Sequence, residues 1–324
     1  MNSIAVVIPC FKVQNKILQV LEKIPNFVNK IYIIDDCCPN KSGILVQENF
    51  NDNRIKIIFH TKNQGVGGAM ISGYKAALDE KCDIIVKLDG DGQMNPESIP
   101  FLIQPIIDGN ADYVKGNRFF FLEELFLMPK VRLFGNIFLS FLSKFAFGYW
   151  NIFDPTNGFT AIHGKVLSLI PLDKINKGYF FESDILFRLS LLRACVVDFP
   201  MKAHYADETS SLKISKIIFP FLKGYFSHFL KRIFYNYFLK DFSFSSISII
   251  FSIVFLIFGL IFGISSWLHS IQTGIVTTPG QVMIAALPLI FGLQFLLSFI
   301  NFDISNVPKY PIHKLILFQK SRLR

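Results

Sequence analysis

The sequence predicts an α/β domain with a mostly parallel sheet, followed by an amphipathic helix and two membrane-spanning helices. Three observations support this fold class. Over residues 1 to about 200, short apolar runs alternate with segments of helical spacing, and such alternation is typical of parallel sheets. A basic amphipathic stretch comes next, and two long apolar stretches without charged residues follow it. Each is long enough for a helix that crosses a bilayer, which takes roughly 20 residues.

Four short apolar runs are the predicted strands of this domain. They are Ile4 to Ile8, Ile31 to Ile34, Ile55 to Phe59 and Ile84 to Leu88. Between the first two runs, Ile17, Val20 and Ile24 recur at the spacing of one helix face. In an open parallel sheet, ligands bind beyond the carboxyl ends of the strands. We therefore expect the polar residues that follow each run to line one crevice.

Polar residues follow all four runs. They are Pro9 to Lys12, Asp35 with Asp36, His60 to Gln64, and Asp89 to Gln93. In the last group, two carboxylates, Asp89 and Asp91, would repel each other in a partly dry crevice, so a cation or ligand must compensate them. Carboxylate oxygens together with a phosphate are the usual ligands of Mg²⁺ or Mn²⁺. The alternative is an Asp-Gly turn that only ends a strand.

The glycine run at Gly65 to Met70, "GVGGAM", partly resembles a dinucleotide-binding fingerprint. It follows a strand but lacks the third glycine, and no acidic residue closes a following strand about 20 residues further on. We therefore interpret the run as a tight turn that begins a helix against the sheet, and not as a nicotinamide site.

The two apolar stretches, 246–267 and 280–302, are the predicted membrane spans, and a pair of buried core helices is the alternative. The segment between them has no lysine or arginine, whereas basic residues precede the first span and follow the second. Because basic residues favour the cytoplasmic side, both termini are expected in the cytoplasm. The chain is thus predicted to be a multi-pass protein of the inner (cytoplasmic) membrane.

The segment 213–240 is predicted to form amphipathic helices at the membrane surface. Apolar residues such as Phe221, Tyr225 and Phe229 follow helical spacing, and lysines fall on the other face. A helix packed on the domain with a solvated basic face is the alternative, and Pro220 predicts a kink. Anionic lipid headgroups account for the formal charge of +9, so nucleic acid is not an expected partner.

The predicted organisation has four parts. These are an α/β domain over 1–212, amphipathic juxtamembrane helices over 213–240, a transmembrane hairpin over 241–303 and a basic cytoplasmic tail over 304–324. No cleavable signal is expected before the first strand, because the N-terminal apolar run is short and lacks a basic region. The five cysteines are odd in number and form no C-x-x-C pair, which predicts neither a disulfide framework nor a zinc site.

A series of motifs, taken together, resembles one enzyme family. Over about residues 4 to 216 the motifs are "VVIPCF", "IIDDCCP", "KNQGVGGAMISGYKAA", "KLDGDGQMNPE", "VKGNRF", "MPKVRLFGN", "DPTNGFTAI", "FFESDILFR" and "HYADETSSLKISK". The series is similar to GT-A glycosyltransferases of family two, in the branch of dolichol-phosphate mannose synthases and bacterial polyprenyl-phosphate glycosyltransferases. The resemblance implies a GT-A fold, which is Rossmann-like with a mostly parallel sheet, and the two trailing spans suit that branch.

The resemblance also implies which residues bind the donor. They are Pro9, Asp35, Asp36, Asp89, Asp91 and Gln93. Asp35 and Asp36 would hold the base and ribose of a UDP- or GDP-linked sugar. Asp89, Asp91 and Gln93 would bind a divalent metal, Mg²⁺ or Mn²⁺, together with the diphosphate. Two departures from the family pattern, Lys12-Val13 and Cys37-Cys38, lie on the nucleotide side, so the resemblance does not choose between UDP and GDP.

On the acceptor side, the resemblance implies that Arg118 and Arg132 bind the phosphate of an undecaprenyl or dolichyl phosphate. A phosphate monoester is largely ionised at neutral pH, since its second pKa is near 6, so its oxygen needs little help from a base. If a carboxylate assists, Asp154 is the predicted residue, and Glu182 and Asp184 are alternatives that could instead cap a helix start. The predicted catalytic residues are Asp91, Arg118, Arg132 and Asp154.

The predicted function is a membrane-anchored, metal-dependent, inverting hexosyltransferase that moves one sugar to polyprenyl phosphate for cell-envelope or glycan assembly. A processive polysaccharide synthase is one alternative, but it would carry a Gln-x-x-Arg-Trp motif, and neither Trp150 nor Trp267 lies in one. A non-catalytic, membrane-tethered sugar-nucleotide-binding protein is the other. The enzyme is favoured by the joint presence of Asp89, Asp91, Gln93, Arg118 and Arg132. A homo-oligomer is compatible with the sequence.

Overall fold

The computed structural model describes residues 2–121, 130–202 and 214–316, and the side chains of 130–132 and 214–218 lie outside that description. The chain forms two compact units. Met1–Phe229 and Pro308–Arg324 form the first, and Leu230–Val307 forms the second. The first unit contains the α/β domain, and the second contains two long apolar helices.

A seven-stranded sheet forms the centre of the first unit. Its strands are β1 (Ile4–Cys10), β2 (Lys30–Asp35), β3 (Ile55–Phe59), β4 (Ile84–Lys87), β5 (Tyr113–Asn117), β6 (Thr160–His163) and β7 (Val196–Pro200). Their order across the sheet is β3-β2-β1-β4-β6-β5-β7. Strand β6 is antiparallel to β4 and β5, and all other neighbours are parallel. The predicted mostly parallel sheet is confirmed, and β5 to β7 are additional strands that the sequence analysis did not identify.

Strand β1 lies near the centre of the sheet and explains why the chain begins with an apolar run. Residues Ile4 to Ile8 are all buried, as expected for a parallel strand covered on both faces. Burial of each such aliphatic side chain contributes about 1.5–3 kcal/mol to folding. The edge strand β3 differs, since Phe59 at its end is 50% exposed. The apolar runs therefore place the core at β1, β2 and β4.

Helices connect the strands of the first unit. They are α1 (Ile17–Glu22), α2 (Ser42–Asn49), α3 (Gly65–Asp79), α4 (Ile99–Ile107), α5 (Lys130–Phe147), α6 (Gly164–Leu167), α7 (Phe181–Leu192) and α8 (Ile214–Phe234), which continues into the second unit. Helix α3 starts at Gly65, where φ is +82°, and a Cβ atom on Gly73 would collide with Val7 of β1. The interpretation of the glycine run as a turn that begins a helix against the sheet is therefore confirmed.

The strand directions decide which loops meet. Strands β1, β2, β4 and β5 share one direction, so their carboxyl ends lie at the same edge of the sheet. Strand β6 runs the opposite way and begins at that edge with Thr160, which pairs with Lys87 and Lys115. The loop before β6, residues 154–159, is consequently brought to the carboxyl edge, where the sequence predicts the crevice.

Helix α8 packs on the α/β domain through part of its apolar face. Phe221 and Tyr225 are buried, and the ring of Phe180 lies 5.0 Å from Phe221 and 5.7 Å from Tyr225, between ring centroids. Phe219 and Phe226 are exposed instead, by 75% and 64%. Two of the predicted apolar residues, Phe221 and Tyr225, therefore pack on the domain, as the alternative interpretation expected. The location of this helix at a membrane surface stays a prediction.

The segment after the second long helix returns to the first unit. His313 is buried, and its ring stacks on His163, with a centroid distance of 4.3 Å. The backbone N–H groups of Ile312 and His313 donate hydrogen bonds to the carboxylate of Asp112, at 2.8 and 3.0 Å, and His313 Nδ1 lies 2.7 Å from it. This part of the predicted basic tail is therefore in contact with the strand β5 end of the α/β domain.

The second unit is built on α9 (Phe244–Thr273) and α10 (Pro279–Ser305), both long and apolar enough to cross a membrane by length and composition, with mean hydropathy values of 2.9 and 2.2 over their most apolar windows. Small residues let them pack closely: a Cβ atom on Gly259 would lie 2.7 Å from Leu289, and one on Gly292 would lie 2.8 Å from Leu256. Both helices extend beyond the predicted spans. Thr278 and Gln281 form a capping box at the start of α10, and at the start of α9 the hydroxyl of Ser246 accepts a hydrogen bond from the N–H of Ser243.

Candidate active site at the carboxyl edge of the sheet

Asp35, the last residue of β2, organises the turn that follows it. It is 4% exposed, and its carboxylate accepts hydrogen bonds from the backbone N–H groups of Cys38 and Gly43, both at 2.7 Å. Gly43 lies in the first turn of α2, where an acidic group is favourable next to the positive end of the helix dipole. The predicted role of Asp35 in nucleotide binding stays a prediction, and its described partners belong to the protein backbone.

Asp36, the residue after β2, binds the backbone at the start of α3. Its two carboxylate oxygens accept hydrogen bonds from the N–H groups of Gln64 and Gly65, each at 2.8 Å. His60 Nδ1 lies 2.7 Å from one of these oxygens, and its Nε2 lies 2.8 Å from the hydroxyl of Ser72. Two strand ends, β2 and β3, and two helix starts, α2 and α3, are thereby joined around two buried carboxylates, and Pro9 of β1 pairs with Ile34 beside them.

The two departures from the family pattern contact each other. The backbone N–H of Lys12, which has φ of +60°, donates to the Cys38 sulfur at 3.0 Å. The hydroxyl of Ser42 lies 3.2 Å from the same sulfur. Burial raises the pKa of the Cys38 thiol, but these contacts with Ser42 and Lys12 outweigh burial and lower it overall. The loops after β1 and β2 are therefore joined through the backbone of Lys12 and the side chain of Cys38.

Asp89 follows β4 and is held by a buried lysine. The Nζ of Lys87 lies 2.6 Å from Asp89 Oδ1 and 3.3 Å from Glu182 Oε1, and the Lys87 side chain is 1% exposed. Burial lowers the pKa of Lys87, but the charges and hydrogen bonds of Asp89 and Glu182 raise it by a larger amount, so the pKa is above its ordinary value. The lysine is therefore a fixed positive charge between a strand end and helix α7.

Asp91 lies in the turn after Asp89, where Gly92 has φ of +78°. The carboxylate of Asp91 accepts a hydrogen bond from the N–H of Gln93 at 3.0 Å, and Asp89, Asp91 and Gln93 are all half-buried. The structure therefore brings the three predicted metal residues together in one tight turn.

A divalent ion fits this donor set, but the protein alone does not complete its shell. Among the residues that the structure describes, no group of three or more His, Cys, Asp and Glu side chains is arranged to hold a metal. Mg²⁺ and Mn²⁺ commonly take one or two carboxylates and complete their coordination with substrate phosphates and water. Asp89 and Asp91 supply that number, so a metal here would depend on the donor diphosphate for its remaining ligands.

Half-buried Arg118 and buried Asp154 form a bidentate pair on the other side of the site. Arg118 Nε and Nη2 each lie 2.7 Å from an oxygen of Asp154. Asp154 is 2% exposed and has φ of +54°. Burial raises the pKa of Asp154, but the charge and hydrogen bonds of Arg118, with help from Lys115, outweigh burial and lower it to about 2. The carboxylate therefore stays ionised and fixes the guanidinium.

Two buried groups behind this pair were not identified from the sequence. The ammonium group of Lys115 donates to the backbone carbonyl of Asp154 and is fully buried, and this burial lowers its pKa to about 8. Asp198 on β7 accepts hydrogen bonds from Asn117 and from the N–H of Phe153, at 2.9 and 2.8 Å, and burial raises its pKa to about 6. A lysine within an otherwise apolar strand was the available signal, because such a side chain needs a specific partner.

A tight loop connects the two sides of the site. A Cβ atom on Gly158 would collide with Lys87 Nζ and lie 2.6 Å from Asp89 Oδ2. Four residues earlier, Asp154 holds Arg118. The segment 154–158 thus places the residues predicted for the donor diphosphate next to a residue predicted for the acceptor phosphate.

Three other predicted residues have different outcomes. The side chain of Arg132, in the first turn of α5, lies outside the described residues. Glu182 lies at the site through its contact with Lys87. Asp184, two residues further along α7, instead accepts a hydrogen bond from the N–H of Asn176 and pairs with Arg188 and His228. Asp184 is thus part of the packing of α7, and only Glu182 of these two alternatives is near Asp89.

The fold and the arrangement of polar residues define a class. A mixed seven-stranded sheet with one antiparallel strand, and with paired carboxylates after β4, is the GT-A type of nucleotide-sugar transferase fold. The structure is similar to that of glucosyl-3-phosphoglycerate synthase from Mycobacterium tuberculosis, solved with Mn²⁺, UDP and its product. The TM-score is 0.51 at 18% identity, and the match covers 71% of this chain and 80% of that one. This likeness establishes the fold.

The family follows from the sequence comparison. Residues 5–170 match the model of glycosyl transferase family 2, and the chain belongs to this family. It is 30% identical over 218 residues to UDP-N-acetylglucosamine–dolichyl-phosphate N-acetylglucosaminyltransferase of Methanococcus voltae, covering 63% of this chain and 86% of that protein. It is 30% identical over 173 residues to undecaprenyl-phosphate mannosyltransferase of Micrococcus luteus, covering 53% and 70%. The chain is therefore a glycosyltransferase related to enzymes that act on polyprenyl phosphates.

Proposed function

We propose that this enzyme transfers one sugar from a nucleotide-sugar donor to a polyprenyl phosphate in the cytoplasmic membrane, with inversion at the anomeric carbon. The observation that carries the proposal is the loop 154–158. It contacts Asp89 and Lys87 at one end and fixes Arg118 at the other. Two phosphate-handling groups a loop apart are what transfer between a diphosphate donor and a phosphate acceptor requires. Relatives named for dolichyl and undecaprenyl phosphate support this acceptor class.

On the donor side, Asp89, Asp91 and Gln93 would hold Mg²⁺ or Mn²⁺ with the diphosphate. The ion would supply charge neutralisation for the departing nucleoside diphosphate. The same-fold synthase solved with Mn²⁺ and UDP supports a donor of this chemistry. Asp35 and Asp36 shape the loops around the nucleotide position through their backbone hydrogen bonds. Sugar and nucleotide identity are left to experiment, because the loops that carry Lys12 and Cys38 differ from the family pattern.

On the acceptor side, Arg118 would orient the lipid phosphate, together with Arg132. Asp154 acts on Arg118, because a bidentate carboxylate fixes the plane of a guanidinium. A general base is not needed for an acceptor that is already ionised at neutral pH. Asp154, with a pKa near 2 and both oxygens bonded, is suited to positioning rather than to proton transfer.

The two long apolar helices would anchor the enzyme as a hairpin with both termini in the cytoplasm. Their lengths of 30 and 27 residues exceed the roughly 20 needed to span a bilayer. Basic residues precede the first helix and follow the second, and the connecting segment has none, which supports this topology.

The test is a transfer assay on membranes that contain the full chain. Membranes are incubated with a panel of labelled UDP- and GDP-sugars, and the lipid fraction is extracted. We expect one donor to yield a labelled lipid, and an α-linked donor to yield a β-linked product by proton NMR. Membranes with the Asp91→Asn chain are the matched control and should give none. Absence of labelled lipid with every donor, or retention of configuration, would overturn the proposal.

A further inference from the structure

We propose that Lys87 and Glu182 are positioning residues for Asp89, and that they hold it as a one-oxygen ligand on the donor side of the site. This inference rests on the proposed function, since it concerns the same diphosphate-binding turn. Lys87 is the last residue of β4 and Glu182 lies in the first turn of α7, so two separate elements fix one carboxylate.

The first step is the burial of the Lys87 charge. Its side chain is 1% exposed, and its Nζ lies 2.6 Å from Asp89 Oδ1. An ammonium group this deeply buried is stable only with charged or hydrogen-bonding partners. The contact therefore occupies one oxygen of Asp89 and fixes the side-chain torsions of both residues.

The second step is the fixation of Lys87 itself. Glu182 Oε1 lies 3.3 Å from Nζ, and the Glu182 side chain is 10% exposed. Glu182 belongs to a helix start and not to the Asp89 turn, so the second contact of the ammonium group comes from a separate element. Lys87 is thereby held between two carboxylates from different parts of the chain.

The third step is the closed side formed by Gly158. Its missing side chain leaves just enough room for Lys87 Nζ, because a Cβ atom there would collide with it. The same atom would lie 2.6 Å from Asp89 Oδ2. With glycine at this position, the ammonium group fits between Asp89 and the loop, and the Lys87 side chain, which is 1% exposed, does not reach solvent to bind a phosphate directly.

In this arrangement, Asp89 and Asp91 have different roles in binding the metal and the diphosphate. Asp89 Oδ1 is bonded to Lys87, and no described residue donates a hydrogen bond to Oδ2. Asp89 thus has one oxygen engaged by Lys87 and the other open to the donor, which favours a metal contact through one oxygen. The main metal contact then falls to Asp91, the other half-buried carboxylate of the turn.

The experiment measures Mn²⁺ retention by the full chain in lipid nanodiscs, with UDP and separately with GDP, by electron paramagnetic resonance of free Mn²⁺. The test variant is Lys87→Met/Glu182→Gln. It removes one positive and one negative charge, so the net charge of the site is unchanged and any loss of Mn²⁺ reports positioning. Loss of residues that orient metal ligands lowers metal affinity by about 10- to 100-fold, and we expect at least 10-fold here.

A graded variant and a matched control accompany the double variant. Glu182→Gln alone keeps the Lys87–Asp89 contact, so we expect a smaller loss of Mn²⁺ affinity, about 3-fold, and this variant decides the question if the double variant fails to fold. Asp184→Asn alters a buried carboxylate in the same helix turn that pairs with Arg188. We expect it to lower the unfolding temperature without changing Mn²⁺ affinity.

Each outcome bears on the proposal. Wild-type Mn²⁺ affinity in the double variant, or in Glu182→Gln when only that variant folds, would overturn it, as would absence of nucleotide-dependent Mn²⁺ retention by the wild type. The assay contains no lipid acceptor, so a wild type that retains Mn²⁺ but makes no labelled lipid would contradict the proposed function alone. A wild type that makes the lipid while the variants keep full Mn²⁺ affinity would contradict only the positioning role.

Discussion

The two pairs of aspartates at the carboxyl edge of the sheet are held in opposite ways. Asp35 and Asp36 are 4% and 3% exposed, and backbone N–H groups of neighbouring loops and helix starts donate to them. Asp89 and Asp91 are half-buried, and the described partner of the Asp89 carboxylate is a lysine side chain. Identical residue types at one edge therefore differ in what they stabilise.

This difference distinguishes carboxylates that stabilise the fold from carboxylates that can bind a ligand. A carboxylate that satisfies backbone donors is part of the fold, because its removal leaves buried N–H groups without acceptors. A half-buried carboxylate with a fixed orientation is available to a ligand. Substitutions of the first pair should act mainly on stability, and substitutions of the second pair mainly on activity.

The largest expected effect is that of Asp91→Asn on transfer. If a metal at this turn neutralises the leaving diphosphate, its loss should lower kcat by about 10³-fold or more, which corresponds to about 4 kcal/mol of transition-state stabilisation. The unfolding temperature should change little, because Asp91 is half-buried. Labelled-lipid formation and thermal unfolding of the same preparation measure the two quantities. Full turnover by this variant, or by the wild type in excess chelator, would contradict the metal assignment.

The next effect is that of Arg118→Lys on the acceptor side. Lysine keeps the charge but cannot form the two parallel hydrogen bonds to Asp154. A misplaced cationic group should reduce kcat/KM for the lipid acceptor by about 100-fold, while KM for the donor stays near its wild-type value. Steady-state kinetics with each substrate varied in turn gives this split. A change confined to the donor KM would contradict this role, because it would show that Arg118 acts on the donor and not on the acceptor.

A smaller effect, on stability, is expected for Asp36→Asn. An asparagine places an N–H₂ group where one carboxylate oxygen accepted a backbone hydrogen bond, from Gln64 or Gly65. We expect a loss of about 3 kcal/mol in the free energy of unfolding, since a hydrogen bond to a charged group is replaced by two facing donors. Denaturant unfolding measures it, with Asp91→Asn as the control. Equal stability of the two variants would remove the distinction between the aspartate pairs.

The smallest expected effect is a pH dependence at His163. Burial, the stacked ring of His313 and the charge of Lys165 lower the pKa of His163 to about 4 from its ordinary 6.5. The folded state therefore favours the neutral ring, and this contribution to stability is present above pH 6.5 and is lost as the pH falls toward 4.

The control for this pH dependence is His163→Asn. Asparagine keeps an acceptor for the N–H of Lys165 at the start of α6 but does not titrate. As the pH is lowered from 7 to 4, the unfolding temperature should fall less steeply in this variant than in the wild type. Parallel declines would show that acid instability arises elsewhere.

The strands that sequence patterns predicted are those whose burial is locally encoded. The runs that form β1 to β4 are apolar over nearly their whole length, and β3 has the bounds predicted for it, Ile55–Phe59. Strands β5 and β7 were not predicted because they contain Lys115 and Asp198, whose burial depends on residues such as Asn117 and the loop at Asp154. Their partners are distant in sequence, so no local period reveals them.

In the candidate site, too, the features encoded locally in the sequence were predictable and the long-range contacts were not. Placement of Asp35, Asp36, Asp89 and Asp91 at one edge was predictable, because parallel strands end together. The lysine that holds Asp89 was visible in the sequence as a charge at the end of an apolar run, but its second partner, Glu182, is 95 positions away and comes from a helix. Geometry of this kind arises from packing and is therefore seen only in the structure.

The contact between Asp112 and His313 has a consequence for biosynthesis. The acceptor of these hydrogen bonds is made early, but its donors, Ile312 and His313, lie about 200 residues later, beyond both long helices. Until that segment has been made, the buried carboxylate of Asp112 keeps the N–H of Cys195 as a donor but lacks the donors from Ile312 and His313. A chain that stalls before that point carries an α/β domain of lower stability, which is the form that cellular proteases remove first. The late segment thus makes the full stability of the α/β domain dependent on synthesis of the chain beyond both long helices.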